Sequence, residues 1–216
     1  DREPLKGPSA ITIGIPRCLN MYEDYPFWHT LFTNCGIGVR LSSSSEFSSY
    51  EQSACMVMSD NICFPAKLVH SHIQDLIDSR VERIFMPFVV HERHDGGQNS
   101  YNCPIVTATP KLSRECRAGV FPLIRRPQFQ GQKAALQAML RVSCHARSER
   151  QGCKPRLQPG RQCAGAYAKD IAAYDEYVLR KAREQGTMAI MLAGRPYHTD
   201  MLIQHKVSDM LADMGV

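Results

Sequence analysis

The stretches AITIGIP (10–16), PFWHTLFTNCG (26–36) and GVRLS (38–42) decide the fold. The first is a short β-branched run closed by a proline and reads as a buried strand. In the second, Pro26 suits an opening helical turn and Cys35-Gly36 supplies a stop, so the pattern predicts a helix over 26–34. The third reads as another strand, with a loop from Ser42 to Ser45 behind it. Strand, helix and strand joined by short connections make a parallel sheet covered by helices. The expected fold class is α/β.

The same reading extends along the chain. Leu68, Ile73, Leu76 and Ile77 place one apolar stripe on a helix over 63–80. Residues 81–87 (VERIFMP) read as a strand ending in proline. The polar stretch 91–102, with Gly96-Gly97, has the chemistry of a loop. Residues 104–110 (PIVTATP) are a further strand candidate and 119–124 a weaker one. A helix is predicted over 130–142, and 143–162 turns basic, with Arg147, Arg150, Lys154, Arg156 and Arg161 against Glu149 alone. That basic stretch reads either as a solvated loop or as a phosphate-binding patch. A long helix over 164–185 carries Tyr167, Ile171, Tyr174 and Val178 on one stripe.

A second α/β unit is expected to start with a strand at 188–194 (MAIMLAG) and a helix over 201–214, where Leu202, Val207, Met210 and Leu211 face inward. One strand and one helix cannot bury both of their apolar faces. The expected organisation is a first α/β domain over 9–125, a helical and basic-loop connector over 126–186, and the start of a second lobe, probed only in part by this chain, over 187–216.

Composition narrows the function classes. With 216 residues, 44% hydrophobic and 22% charged, the chain can bury a core without disulfides or metals. A net charge of +5 permits an anionic ligand and does not call for nucleic acid. Nine cysteines, an odd number, argue against a closed disulfide framework. The opening residues lack the apolar run of a signal peptide, and no stretch has the length of a membrane span. The expected address is the cytoplasm, where cysteines serve as metal ligands, redox groups or core residues.

Two cysteines have instructive surroundings. In NICFPAK (61–67), Pro65 belongs in an opening helical turn, which puts Cys63 at a helix N-terminus. Unpaired N–H groups and the positive dipole end favour thiolate there, and Lys67 adds positive charge one turn later. In YNCP (101–104), Cys103 sits where a polar loop feeds the expected strand. Loops at the strand ends of a parallel sheet gather ligands, so Cys63 and Cys103 can face one another. Each also reads as a buried apolar cysteine. His91, Glu92 and His94 could complete a Cys/His zinc site with them. His70 and His72 read as solvent-facing or hydrogen-bonded structural histidines ahead of ligands. Arg17 and Arg195 follow expected strand ends, where they could meet phosphates or a carboxylate, or else cap a helix or pair with a surface acid. No nucleophile elbow, paired acid–base carboxylates, G-x-G-x-x-G or G-x-x-x-x-G-K-[ST] occurs, which supports neither NAD binding nor ATP hydrolysis by these residues.

Six ordered motifs carry a resemblance: IGIPR (13–17), NMYE (20–23), YPFW (25–28), CFPAKLVH (63–70), YNCPIV (101–106) and LAGRPYH (192–198). Together they resemble the acyl-CoA dehydratase activase-related proteins, a branch akin to the 2-hydroxyglutaryl-CoA dehydratase subunits and the double-cubane cluster proteins. The likeness runs from the first strand to the last helix and is weakest between about 112 and 165.

The resemblance implies Rossmann-like α/β lobes enclosing a [4Fe–4S] cluster held by three cysteines, with Cys63 and Cys103 matching the first two. In relatives the third comes from a Phe-Gly-Cys-Gly type loop of the second lobe. This chain has no such loop, and Cys116, Cys144, Cys153 and Cys163 lack its context, so the third ligand is expected outside the chain. The implied function is a cluster-binding segment in low-potential electron transfer within a 2-hydroxyacyl-CoA dehydratase/activase-type system. The alternatives are a non-catalytic docking or regulatory module, or a Cys/His zinc domain. Arg17, Lys67 and Arg195 are the expected cofactor contacts, an acyl-CoA being the candidate ligand. Expected partners are ATP-hydrolysing activase domains, in the same chain or another, and a second copy of the chain as a homodimer.

Overall fold

A computed structural model describes residues 9, 11–57, 59–90, 101–115 and 157–215. The elements run β1 (Thr12–Ile15), α1 (Met21–Asn34), β2 (Gly38–Leu41), α2 (Phe47–Ser53), α3 (Phe64–Asp78), β3 (Arg83–Ile84), α4 (Pro104–Glu115), α5 (Leu157–Gln185) and α6 (Val207–Asp213). Short 3₁₀ turns occupy Ala54–Met56 and Pro196–Thr199. The three strands form a parallel sheet in the order β2-β1-β3, with Thr12 opposite Gly38 and Ile13 opposite Arg83. The α/β, Rossmann-like class expected from the sequence is the one observed. No helix among the described residues is long and apolar enough to cross a membrane.

The two-residue period of β1 sorts the core. Ile13 and Ile15, both fully buried, join the cluster of Trp28, Leu31, Phe32 and Phe85 on the α1 face. Phe85 seats its ring 4.6 Å from Trp28 and 5.0 Å from Phe32. Gly14 points to the opposite face, where a Cβ would stand 2.9 Å from Val81 Cγ2 and 3.0 Å from Leu76 Cδ2. Only a glycine lets α3 approach β1 so closely. On that face Val69, Ile73 and Leu76 of α3 pack with Val81, Ile84 and Val106.

The predicted stop of α1 is a Schellman turn. Gly36 adopts φ 71°, and its N–H donates to the Thr33 carbonyl (3.0 Å) while Ile37 N–H reaches Phe32 (3.1 Å). The start differs from expectation. The helix opens at Met21, and Pro26 lies inside it rather than in its first turn. The Asn20 carbonyl accepts from Glu23 and Asp24 N–H at 3.1 and 2.9 Å, and those two acids sit at the positive end of the helix. This opening turn outweighs the one hydrogen bond that the proline removes.

Further expectations are corrected. Residues 104–110 form the start of helix α4, not a strand. Pro104 opens it, the Cys103 carbonyl accepts Thr107 N–H (3.0 Å), and the Thr109 hydroxyl donates back to the Ile105 carbonyl (2.6 Å). A short β-branched run is ambiguous on its own, and packing of Val106 against the α3 face resolved it as helix. The long helix α5 begins at Leu157, so 157–162 belong to it rather than to the basic loop. Its stripe is not core: Ile171, Tyr174 and Val178 are 46%, 64% and 43% exposed. Its opening turns pack on α1, where a Cβ at Gly160 would touch the Phe27 ring at 2.9 Å.

Residues 188–194 form no strand, and Met191 is 87% exposed. A strand exists only through a hydrogen-bonded neighbour, and among the described residues none stands beside this segment. The last helix begins at Val207 instead of 201, because His205 (φ 55°) and Lys206 (φ 57°) adopt the left-handed conformation and break the turns before it. Met210, expected to face inward, is 54% exposed. Helix α2 was not anticipated in the serine-rich segment it occupies. The expected elements at 119–124 and 130–142, the loop residues 91–100, the basic residues 143–156 and the boundary near 125 lie outside the described residues.

Candidate functional site

The chain crosses from one side of β1 to the other between β2 and β3, so the carboxyl ends of the strands open a crevice. Helices α3 and α4 both start at that edge and pack against each other. Cys63 is the N-cap of α3, with φ −63° and ψ 151°, and Pro65 lies in the opening turn. Its carbonyl accepts Ala66 and Lys67 N–H at 3.0 and 3.2 Å. Cys103 stands in the same relation to α4 and packs, half-buried, against the apolar cluster that holds Cys18 and Val106. It heads a helix, not the strand expected.

Burial raises the Tyr197 hydroxyl above its ordinary range, the Arg195 guanidinium opposes the rise, and charge at Cys63 and at Cys103 adds to it. Cys18 lies at the same edge, but complete burial pushes its thiol far up and keeps it protonated. Among the described residues no three His, Cys, Asp or Glu side chains converge as a metal site. His91, Glu92 and His94, the zinc alternative, lie outside those residues.

A chain of hydrogen bonds runs beside the cysteines. Arg17 N–H donates to Ser42 Oγ (2.7 Å), which lies 3.0 Å from His72 Nδ1. His72 Nε2 is 3.1 Å from Ser45 Oγ, and Ser45 donates to Asp200 Oδ2 at 2.5 Å. Tyr22 donates to the same carboxylate oxygen. Asp200 Oδ1 accepts the N–H groups of Leu202 (2.9 Å) and Ile203 (3.1 Å). The carboxylate can only accept, which commits the Ser45 proton to it. His72 therefore donates through Nε2 and accepts from Ser42 at Nδ1, as a neutral ring. Burial is the main reason its pKa falls to about 4; Asp200 and Asp75 pull it upward and Arg17 pushes it down. The structural reading of His72 holds. Burial and the bond to Asp200 raise the Tyr22 hydroxyl. Ser45 and Asp200 were not singled out from the sequence; the one available signal was that Asp200 follows the LAGRPYH motif by two residues.

On the outer side of the α3 N-terminus lies an open cleft of about 780 Å³. Phe64 and Pro65 form one wall, and residues from 192 to 208 form the other. Arg195, His198 and His205 line it, and no carboxylate is among its lining residues. A Cβ at Gly194 would stand 2.9 Å from His198 Cγ, so the glycine lets this ring fold back over the chain. His198 Nδ1 then accepts Arg195 N–H at 3.0 Å. Of the three expected cofactor contacts, only Arg195 lines the cleft. Lys67 is half-buried on α3, and Arg17 keeps a buried Nε without a hydrogen-bond partner.

Among known proteins, a family model described as the CoA enzyme activase uncharacterised domain matches residues 12–216. No match is found among curated proteins or among solved structures.

Proposed function

The chain belongs to the CoA enzyme activase family that this match defines, and from that premise we propose that it contributes Cys63 and Cys103 as thiolate ligands to a [4Fe–4S] cluster. The observation that carries the reading is that the two cysteines stand at the starts of neighbouring helices at the carboxyl edge of the sheet. Each helix start offers a positive dipole end, which favours the net negative charge of a thiolate-held cluster. The residues fit two of three ligand places, and the third thiolate is proposed to come from outside this chain. Such a cluster supplies one-electron transfer at low potential.

In this reading the chain serves a 2-hydroxyacyl-CoA dehydratase-type system in the cytoplasm, with ATP-hydrolysing activase domains as partners and an acyl-CoA as substrate. The test is anaerobic purification of the full-length protein, with iron and sulfide analysis and visible absorption. Iron and sulfide near four each per chain, reduced by more than half in Cys63→Ser and in Cys103→Ser, are expected. Iron-free protein that takes up none on reconstitution overturns the reading, and zinc in its place points to a Cys/His site instead.

The exposed stripe on α5 favours a second reading, a docking module whose cysteines hold no cluster; Cys103 then packs against the core, while Cys63 is exposed and not the buried residue expected as an alternative. There, Cys63→Ala combined with Cys103→Ala leaves partner binding intact.

A further inference from the structure

We infer that the α5 stripe is the contact face of a two-fold dimer in which the α5 helices of two copies of this chain lie antiparallel. This deepens the docking reading by naming the occupant of its surface, and it rests on that reading for the stripe's being an interface. Ala164, Tyr167, Ile171, Tyr174 and Val178 recur at alternating steps of three and four, the spacing of a coiled-coil seam. The seam begins inside the molecule. Gly160 and Ala164 are buried where α5 meets α1, and beyond them every residue from 168 to 181 is exposed. The face that packs on α1 thus runs on for about four more turns, about 20 Å, uncovered by any of the described residues. A helix of that length without a packed face is marginal in water. Tyr174 and Tyr177 present broad amphipathic rings there, 6.3 Å apart, of the kind that anchors interfaces.

The charges decide the occupant. In the first half of the exposed run Lys169 stands against Asp170, Asp175 and Glu176, and in the second Arg180, Lys181 and Arg183 stand against Glu184 alone. The stripe is therefore flanked by net negative charge at one end and net positive charge at the other. Arg180 and Lys181 sit beside its edge, their charged groups 5.8 and 5.9 Å from the Tyr177 ring centre. Both also reach Glu184, at 3.9 and 3.5 Å, in exposed pairs weak enough to be exchanged. A second α5 laid antiparallel sets its acidic half beside this basic half, and the symmetry repeats the match at the other end. A parallel copy sets like charge against like. A partner of one charge throughout fits one half and is repelled by the other. An interface of about four turns is small, so the dimer is expected at the transient end of the range, with micromolar dissociation. Below that concentration it adds nothing to the stability of the fold.

Sedimentation velocity of the full-length protein over a range of micromolar concentrations tests the dimer, with iron measured on the same samples. A concentration-dependent monomer–dimer equilibrium is expected, weakened about tenfold or more in Ile171→Glu. Arg180→Glu combined with Lys181→Glu, and separately Asp170→Lys combined with Asp175→Lys, should each weaken it about tenfold, since either change makes the facing halves alike. An equimolar mixture of those two charge variants should recover dimers, because each half then meets its opposite again. All of these positions are exposed in the single chain, and circular dichroism of dilute samples confirms that the variants fold. Protein that stays monomeric throughout, a dimer indifferent to Ile171→Glu, or charge variants that associate no better when mixed overturns the inference. Iron-loaded protein that dimerises through the stripe removes the docking reading, whose cysteines hold no cluster, and supports this one. Iron-free monomer that binds another chain, and loses it in Ile171→Glu, does the reverse.

Discussion

Tyr22 and Asp200, 178 positions apart, are joined by a hydrogen bond from the tyrosine hydroxyl to the buried carboxylate. That bond fastens the segment carrying Arg195 and Tyr197 to the opening turn of α1. One wall of the candidate site is thereby held against the sheet edge that presents the cysteines. Ser45 adds a second bond to the same oxygen, and the amides of Leu202 and Ile203 occupy the other.

Removing this carboxylate leaves two hydroxyls and two amides without their acceptor. Asp200→Ala is expected to cost about 2–4 kcal/mol in urea denaturation, and Tyr22→Phe about 1 kcal/mol. A change below about 0.5 kcal/mol for Asp200→Ala would show that the wall is held by packing alone.

His72 makes the fold acid-sensitive. Its pKa falls from 6.5 to about 4 on folding, so between those values the unfolded chain binds the proton and the folded chain does not. Stability from this group is complete above about 6.5 and is lost as pH drops toward 4, by up to about 3 kcal/mol. Denaturation midpoints measured across that window should decline in the parent protein, and the slope should flatten in His72→Gln. Equal slopes in the two proteins would remove His72 as the cause.

The cysteines permit a separation of ligand role from folding. Serine is a better N-cap than cysteine, and Cys63 is exposed, so Cys63→Ser should keep or raise stability by about 0.5–1 kcal/mol while lowering iron content. Cys103 packs against an apolar cluster, and its serine variant should lose about 1 kcal/mol. Iron analysis beside thermal denaturation reads both effects. Loss of iron that merely tracked loss of stability would count against direct ligation.

Helix α5 offers a contrast between two of its turns. Gly160→Ala drives a methyl into the Phe27 ring and within 3.1 Å of the Phe27 carbonyl oxygen, with an expected cost of about 1–3 kcal/mol. Tyr174→Ala, on the exposed stripe, should change stability by no more than about 0.5 kcal/mol. A large loss at Tyr174 would mean that the stripe is covered in the assembled protein.

Much of this was legible in the residues. The β-branched run at 10–16, the Cys35-Gly36 stop and the strand at 38–42 predicted the β1–α1–β2 unit. Pro65 predicted that a helix starts just after Cys63, because its fixed φ and missing N–H suit an opening turn. The same logic at Pro104 was overridden by the β-branched residues after it, and the strand expected there is a helix. Asp200 went unread, since its four donors come from residues 22, 45, 202 and 203, and only the last two are near it in sequence.

The amino-acid sequence by itself determined the parallel α/β core, the capped start of α3 and the family, because each rests on signals that act within a few residues or on motifs kept in order. The tertiary structure alone decided that 104–115 coils rather than pairs, that the α5 stripe faces outward, and that Tyr22 finds Asp200. Those outcomes depend on which distant surface is present to bury a side chain or accept a proton, and local periodicity carries no record of that.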